Sequence, residues 1–192
     1  LVMATADGLV KKTLLSDYRN IHKGGLIAIK MREGDRLVNV RLSDDEDDIL
    51  LVTRNGMAIR FDESSVRATG RNTMGVNGIK LSDGDQVIGM ITTDGSGTVL
   101  VVTENGFGKR TSLSEYRVQN RYGVGLITYR ITRRTGKLIG VAEVTDEDDV
   151  LLINDHGIII RFRASEIPVM GRITSGVTLM RVSEGLVVDM SV

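Results

Sequence analysis

One short pattern occurs four times along this 192-residue chain, and it constrains the fold more than any other feature of the sequence. Each copy contains a turn glycine followed by apolar and basic residues, and the four glycines are Gly8, Gly56, Gly106 and Gly157. They lie 48, 50 and 51 residues apart. Three copies carry Asp-Gly or Asn-Gly, strong signals for a β-hairpin with a two-residue type I′ turn, in which both central residues have positive φ. The sequence therefore predicts one such hairpin in each of four repeats.

Each repeat also contains enough apolar segments for four strands. First strands are predicted at residues 2–5, 49–53, 98–103 and 150–154, and second strands directly follow the turn glycines. A loop leads to third apolar stretches at 26–31, 76–81, 124–131 and 177–182. Tight turns, Glu184-Gly185 among them, lead to fourth stretches at 37–42, 87–92, 138–144 and 186–190. Four strands per unit at a period near 50 are typical of a propeller blade.

We therefore predict an all-β, propeller-like array that forms a single domain over residues 1–192. Its blades are expected at about 1–45, 46–94, 95–146 and 147–192. Two β-sandwiches or a β-solenoid remain alternatives, whereas WD and kelch repeats are disfavoured because the chain has no Trp. The terminal repeats have no distinct capping segment, so we expect a piece of a longer chain.

Composition excludes several classes of protein. A hydrophobic content of 41% with 26% charged residues is ordinary for a soluble globular chain. With no Cys and only two His, the chain can form neither a disulfide framework nor a structural zinc-thiolate site. It has no apolar run long enough for a membrane span and no signal sequence, so a soluble, cytoplasmic protein that does not bind membranes is expected.

The charges balance, with 25 Lys and Arg against 25 Asp and Glu, which at first argues against a polyanionic partner. The basic residues nevertheless recur at fixed positions counted from each turn glycine. Position +4 holds Lys12, Arg60, Arg110 and Arg161, and position +15 holds Lys23, Arg71, Arg121 and Arg172. The end of the third stretch, here called the strand-end position, holds Lys30, Lys80, Arg130 and Arg181. Position +11 holds Arg19, Arg67 and Arg117, with Pro168 in the fourth repeat.

Equivalent positions in stacked repeats lie on the same face, so these cations are expected to form rows along the array. Such rows would bind a phosphate backbone through charge, without reading base sequence. Because charges are screened beyond about 8 Å at physiological salt, nucleic acid would sense the local row more than the zero net charge. The alternative is that these residues only provide solubility or pair with acids of a neighbouring blade.

The remaining motifs predict no catalytic or metal site. The acidic runs at 44–48 and 146–149 are typical of solvated loops and lack the spaced oxygens and central glycine of a calcium loop. Residues 119–125 are rich in glycine, but they lack the Gly-Lys-Ser/Thr ending of a phosphate-binding loop. No nucleophile accompanies His22 or His156 at a suggestive spacing. We therefore expect no cofactor and no enzymatic activity in this chain by itself.

Several joined motifs resemble the C-terminal domain of the DNA gyrase A protein, and the resemblance covers the whole chain. It is carried by Gly106-Phe107-Gly108-Lys109-Arg110-Thr111 with residues 113–117 and 119–121, by the parallel residues 8–13, and by residues 70–76 with 171–177. The related protein of topoisomerase IV has the same kind of domain and is the near alternative. The gyrase A family is distinguished by the gyrase box, a heptad of the type Gln-Arg-Arg-Gly-Gly-Arg/Lys-Gly. Residues 119–125 resemble it only in part, because Tyr122 and Val124 replace small and basic residues. Either a complete box precedes residue 1, which we favour, or the protein has none, and the choice between gyrase and topoisomerase IV depends on which.

The resemblance implies a β-pinwheel whose blades exchange strands, and duplex DNA wrapped positively around a basic outer rim. Transferred to this sequence, the rim would comprise the cations at the four positions above. The whole enzyme would be a bacterial, nucleoid-associated heterotetramer of gyrase A and gyrase B that uses ATP and magnesium, bound elsewhere, for negative supercoiling. A propeller-like scaffold that binds proteins through its loops and acidic runs is the rival from another class.

Overall fold

The computed structural model describes residues 1–183 and 185–192, and this part of the chain is built from strands and four short 3-10 turns. The strands are β1 (Val2–Thr5), β2 (Leu9–Lys12), β3 (Leu37–Arg41), β4 (Asp48–Thr53), β5 (Met57–Asp62), β6 (Val76–Asn77), β7 (Val87–Thr93), β8 (Thr98–Thr103), β9 (Phe107–Ser112), β10 (Leu126–Ile127), β11 (Leu138–Val144), β12 (Asp149–Asn154), β13 (Ile159–Arg163), β14 (Val177–Thr178) and β15 (Val187–Ser191). The 3-10 turns are Leu15–Tyr18, Glu63–Ser65, Leu113–Glu115 and Ala164–Glu166. None of these helical turns could cross a membrane.

Four antiparallel sheets confirm the predicted all-β blade array. Their strand orders are β3-β1-β2-β6, β7-β4-β5-β10, β11-β8-β9-β14 and β15-β12-β13. The outermost strand of each of the first three sheets comes from the next repeat: β6 pairs with β2, β10 with β5 and β14 with β9. Consecutive blades therefore exchange strands, as the resemblance implied.

The predicted third stretches are wrong in length. Only two residues of each later stretch pair as a strand, and residues 26–31 pair with no strand among the described residues. The chain then leaves the ladder because its next amides bond the preceding turn: Gly78 N–H donates to the Gly8 carbonyl at 2.7 Å. Thr128 and Leu179 bond the next two turn glycines in the same way. The predicted turn at Glu184-Gly185 includes Glu184, which lies outside the described residues.

The hydrophobic core lies between the sheets as three clusters, one at each blade interface. Alternate residues of β4 face opposite neighbours, so Ile49 and Leu51 pack toward the first sheet. Leu50 and Val52 pack toward the third sheet. A strand buried on both faces has a continuous apolar run, which explains the run at residues 49–52. The strands β3, β7, β11 and β15 lie side by side from blade to blade, and we call them the central strands.

The hairpin turns differ from the predicted type I′ form. Gly8 has φ +84°, whereas Asp7 does not have positive φ. Gly8 N–H donates to the Thr5 carbonyl at 3.0 Å, and the Leu9 amide donates to the Thr5 hydroxyl at 3.3 Å. This is a type I turn followed by a left-handed glycine, and all four hairpins have it. Threonine or asparagine at the start of each turn favours it by supplying the side-chain acceptor for the second amide.

Candidate nucleic-acid interface

The cation at position +4 of the second repeat forms an internal ion pair. Nε and Nη2 of Arg60 both lie 2.7 Å from Oδ2 of Asp48, on the neighbouring strand of the same hairpin. Its Nη1 donates to the carbonyls of Leu113 and Tyr116 in the next repeat, at 3.2 Å each. The Arg60 side chain is only 12% exposed. It therefore joins two blades, and little of its charge faces solvent.

Position +4 of the first repeat is arranged similarly. Nζ of Lys12 lies 2.7 Å from Asp45 and 3.5 Å from the buried Glu63. Burial opposes the charged form, but the hydrogen bond to Asp45 and the nearby Glu63 leave the pKa of Lys12 raised. The hydrogen bond from Lys12 lowers the pKa of Asp45. The acidic run at 44–48 thus supplies partners to position +4 and is not only a solvated loop.

The last two members of position +4 also have acidic partners. Arg110, whose side chain is 7% exposed, lies 2.7 Å from Asp146 and donates from Nε to the Ile167 carbonyl at 3.0 Å. Arg161 pairs with Asp149 but is largely exposed. The cations at position +4 are therefore paired with acids, but among the described residues only Lys12 reaches an acid of a neighbouring blade, Glu63, as the alternative weighed from the sequence required.

The arginines at position +15 contact the neighbouring repeat in a different way. Nη1 of Arg71 donates to the Ile27 carbonyl at 3.0 Å, and Nη1 of Arg172 donates to the equivalent Ile127 carbonyl at 2.8 Å. Arg121 makes the corresponding bond to the Asn77 carbonyl. Each of these arginine side chains is half-buried, and its Nη1 is bonded to a main-chain oxygen, so the planar guanidinium group is held in one orientation.

The strand-end cations lie beside these arginines. The loop that carries each position +15 arginine accepts a main-chain hydrogen bond from the strand-end residue of the preceding repeat. The amide of Lys30 donates to the Thr73 carbonyl at 3.0 Å, that of Lys80 to the Gly123 carbonyl at 2.9 Å, and that of Arg130 to the Thr174 carbonyl at 3.0 Å. Every blade junction therefore brings together two cations from different repeats. We call these the junction cations: Lys30 with Arg71, Lys80 with Arg121, and Arg130 with Arg172.

The junction cations have no carboxylate within ion-pair distance among residues 1–183 and 185–192. The other predicted cations at the edge of the array are exposed, namely Arg19, Lys23, Arg67, Arg117 and Arg181. In the first repeat, the segment from the turn glycine to the strand-end cation is two residues shorter than in the other repeats. Lys23 lies in this shorter segment and does not repeat the carbonyl contact of Arg71. The described residues also hold no group of acids and histidines that could bind a metal ion.

An open groove of about 580 Å³ lies at the junction of the second and third repeats. Arg117, Gln119, Asn120 and Arg121 line it. Oε1 of Gln119 and Nε of Arg121 are buried atoms without a hydrogen-bond partner in the described part of the chain. Arginine guanidinium groups match the geometry of phosphate oxygens, so Arg117 and Arg121 can accept a phosphodiester anion here, whereas Oε1 of Gln119 is itself an acceptor and cannot bind one.

Sequence reasoning missed two functional candidates, Lys11 and Lys109, one residue before position +4. Both are buried and donate to carbonyls of the loops that carry Arg71 and Arg172. The sequence did carry a signal for them: this position holds Lys in the first and third repeats and Ile in the second and fourth, and a position that accepts Ile is typical of the interior.

Comparison with known proteins identifies the family and the fold of this chain. The chain matches the family model "DNA gyrase C-terminal domain, beta-propeller" at residues 1–44, 47–94, 97–145 and 148–192. It is 56% identical to the DNA gyrase A protein of Clostridium acetobutylicum over 94% of this chain and 22% of that protein. It is 44% identical to the DNA gyrase A protein of Escherichia coli K12 over 95% of this chain and 21% of that protein. The chain thus spans about a fifth of the length of these curated relatives.

Two solved structures share the fold. One is described as "Structure of DNA gyrase A C-terminal domain"; it superposes with a TM-score of 0.90 at 25% identity and covers 99% of this chain and 64% of its own. The other is described as "Crystal structure of the C-terminal domain of DNA topoisomerase IV", with a TM-score of 0.93 at 27% identity, covering 99% of this chain and 60% of its own.

Proposed function

The chain belongs to the DNA gyrase C-terminal domain, beta-propeller family, and on that premise we propose that it binds duplex DNA through its junction cations and wraps the duplex around the outer edge of the blade array. The exposed Arg67 and Arg117, together with Lys23 and Arg181, extend this surface. Position +4, comprising Lys12, Arg60, Arg110 and Arg161, acts mainly by holding blades and loops in place.

The observation that carries this proposal is the division of the basic residues into two groups. Those at position +4 have acidic partners within the protein. The junction cations have none in the described structure, and the same arrangement recurs at three successive junctions. A repeated surface of unpaired cations favours a repeating polyanion. Contacts of this kind position the duplex without reading its bases, so binding is independent of sequence.

The whole protein's role follows as a further part of the proposal. The chain would act as the DNA-wrapping module of a cytoplasmic type II topoisomerase, most closely gyrase, together with the rest of gyrase A and with gyrase B. ATP hydrolysis, magnesium binding and strand passage would take place outside this chain, and the wrapped segment would be presented for negative supercoiling.

A salt titration of duplex binding tests the DNA-binding part. If about six to ten cations contact phosphates, log K against log salt should fall with a slope of roughly −5 to −9, since each neutralised phosphate releases about 0.9 counterion. Two duplexes of unrelated sequence should give the same affinity. An affinity that does not change with salt, or no binding at low salt, would contradict the proposal. A protein scaffold that uses the acidic runs would give the latter result.

Wrapping needs a separate readout, because a straight duplex can also bind a basic surface. Nicked circular DNA is ligated with the chain bound, and the topoisomers are then separated on a gel. A wrap should shift the linking number in the positive direction with increasing protein. An unchanged distribution at saturating protein would show binding without wrapping.

A further inference from the structure

Two lysines are enclosed in the interior of the array. Lys11 on β2 and Lys109 on β9 are 1% and 0% exposed, and each is the third residue after a turn glycine. Neither has a carboxylate within ion-pair distance among the described residues. A buried ammonium is costly unless it is hydrogen-bonded, so these two side chains need a specific reason to be there.

The reason lies in the loop of the following blade. Nζ of Lys109 donates to the carbonyls of Gly171 and Arg172, both at 2.6 Å. It also lies 5.6 Å from the centre of the Tyr129 ring, where the negative face of the ring stabilises a cation. The Arg172 amide donates to Oε2 of Glu115 at 2.9 Å, so the main chain of Arg172 is held on both sides.

Lys11 makes the same kind of contact two junctions earlier. Its Nζ donates to the Ala28 carbonyl at 2.7 Å and to the Arg71 carbonyl. Arg71 and Arg172 are the position +15 junction cations of their repeats, and both carbonyls accept from a lysine of the preceding blade. We propose that Lys11 and Lys109 are positioning residues that fix the main chain of Arg71 and Arg172, so that these arginines are oriented toward DNA. This inference rests on the proposed function.

The middle junction provides an internal comparison. Ile59 takes the place of the lysine there, and a Cβ built on Gly123 would lie 3.5 Å from its Cδ1. The loop carrying Arg121 follows another path: Tyr122 has φ +69° and donates its amide to the Gly78 carbonyl at 2.9 Å. The first and third junctions thus use an ammonium to hold the loop, and the second uses a left-handed residue.

The test uses the full chain with Lys109→Met, which keeps the length of the side chain and removes the ammonium. Duplex affinity should fall about fivefold, and the salt slope should become shallower by about 0.9, as expected for losing one phosphate contact. In an Arg172→Ala background the same substitution should change affinity by less than about twofold. Ile59→Met, at the same place in the middle junction, is the matched control and should leave affinity and slope unchanged.

Limited trypsin digestion tests the positioning without DNA. Lys109→Met should speed cleavage after Arg172 at least severalfold and leave cleavage after Arg71 unchanged, whereas Lys11→Met should do the reverse. If Lys109→Met does not fold, as judged by circular dichroism, Lys109→Ile copies the residue of the second repeat and serves instead.

The outcomes separate the two proposals. Unchanged cleavage after Arg172, or an equal loss of affinity with and without Arg172, would overturn the positioning role. Faster cleavage in a chain that binds no DNA would support positioning and refute the proposed function.

Discussion

Replacing Arg60 by Met should destabilise the protein without removing a DNA contact. The substitution leaves Asp48, whose side chain is 18% exposed, without its partner and frees two carbonyls in the next repeat. Removing one member of a largely buried, hydrogen-bonded ion pair typically costs 3–5 kcal/mol, and the partial exposure of this pair favours the lower end, about 3 kcal/mol. In a domain of this size that corresponds to a fall in Tm of roughly 6–12 °C.

Arg121→Met in the facing loop is the matched comparison. Its guanidinium is half-exposed and bonds one carbonyl, so its loss should cost about 1 kcal/mol or less. Its salt slope should nevertheless become shallower by about 0.9. Urea unfolding would measure the stability of both variants, and duplex binding would measure their salt slopes at a temperature where both are folded. A shallower slope for Arg60→Met with unchanged stability would refute the division between position +4 and the junction cations.

Three further predictions concern the scaffold. Gly75→Ala should lower the free energy of unfolding by more than about 2 kcal/mol, because φ is +84° and the new Cβ would lie 2.3 Å from a backbone oxygen. Gly84→Ala, with φ +75° but open space around the new Cβ, should lower it by about 1 kcal/mol, and urea unfolding would measure both. Leu50→Ala should cost about 3 kcal/mol of stability, because Leu50 is fully buried between blades. Leu151, its counterpart in the last sheet, is 38% exposed, so Leu151→Ala should cost about 1 kcal/mol or less; calorimetry would rank the two variants. Burial lowers the pKa of Lys109 from 10.5 to about 8, so the folded state loses this proton first and the free energy of unfolding should rise from pH 8 to pH 10.5. Burial also lowers the pKa of Lys11, so Lys109→Met should reduce that rise without abolishing it in unfolding measured at both pH values.

The repeat in the sequence predicted the first, second and fourth strands closely because each of them follows local signals. The apolar run at residues 98–103, for example, is β8 over the same residues. The third strands were less predictable because their partner belongs to the preceding repeat. Val76 pairs with Val10 across a blade junction, and no property of residues 76–81 shows that pairing stops after Asn77.

The cationic rows show what repeat spacing can and cannot predict. Arg60 and Arg71 recur with equal regularity, so spacing alone places both in the same class. They differ in surroundings that are distant in sequence: Arg60 lies against Asp48 and the next repeat, whereas Arg71 reaches back to a carbonyl of the first repeat. The buried lysines were missed for a related reason, since a lysine beside a basic position looks like one more surface charge.

The salt slope of a triple variant tests the central claim most directly. Arg71→Ala, Arg121→Ala and Arg172→Ala together remove one cation from each junction, and the slope of log K against log salt should become shallower by about 2.7. The matched control removes three cations on or beside the central strands, Arg36, Arg41 and Lys137, and should leave the slope within about 0.5 of the original. Equal changes in the two triple variants would mean that DNA responds to overall charge, and the junctions would then not be the binding surface.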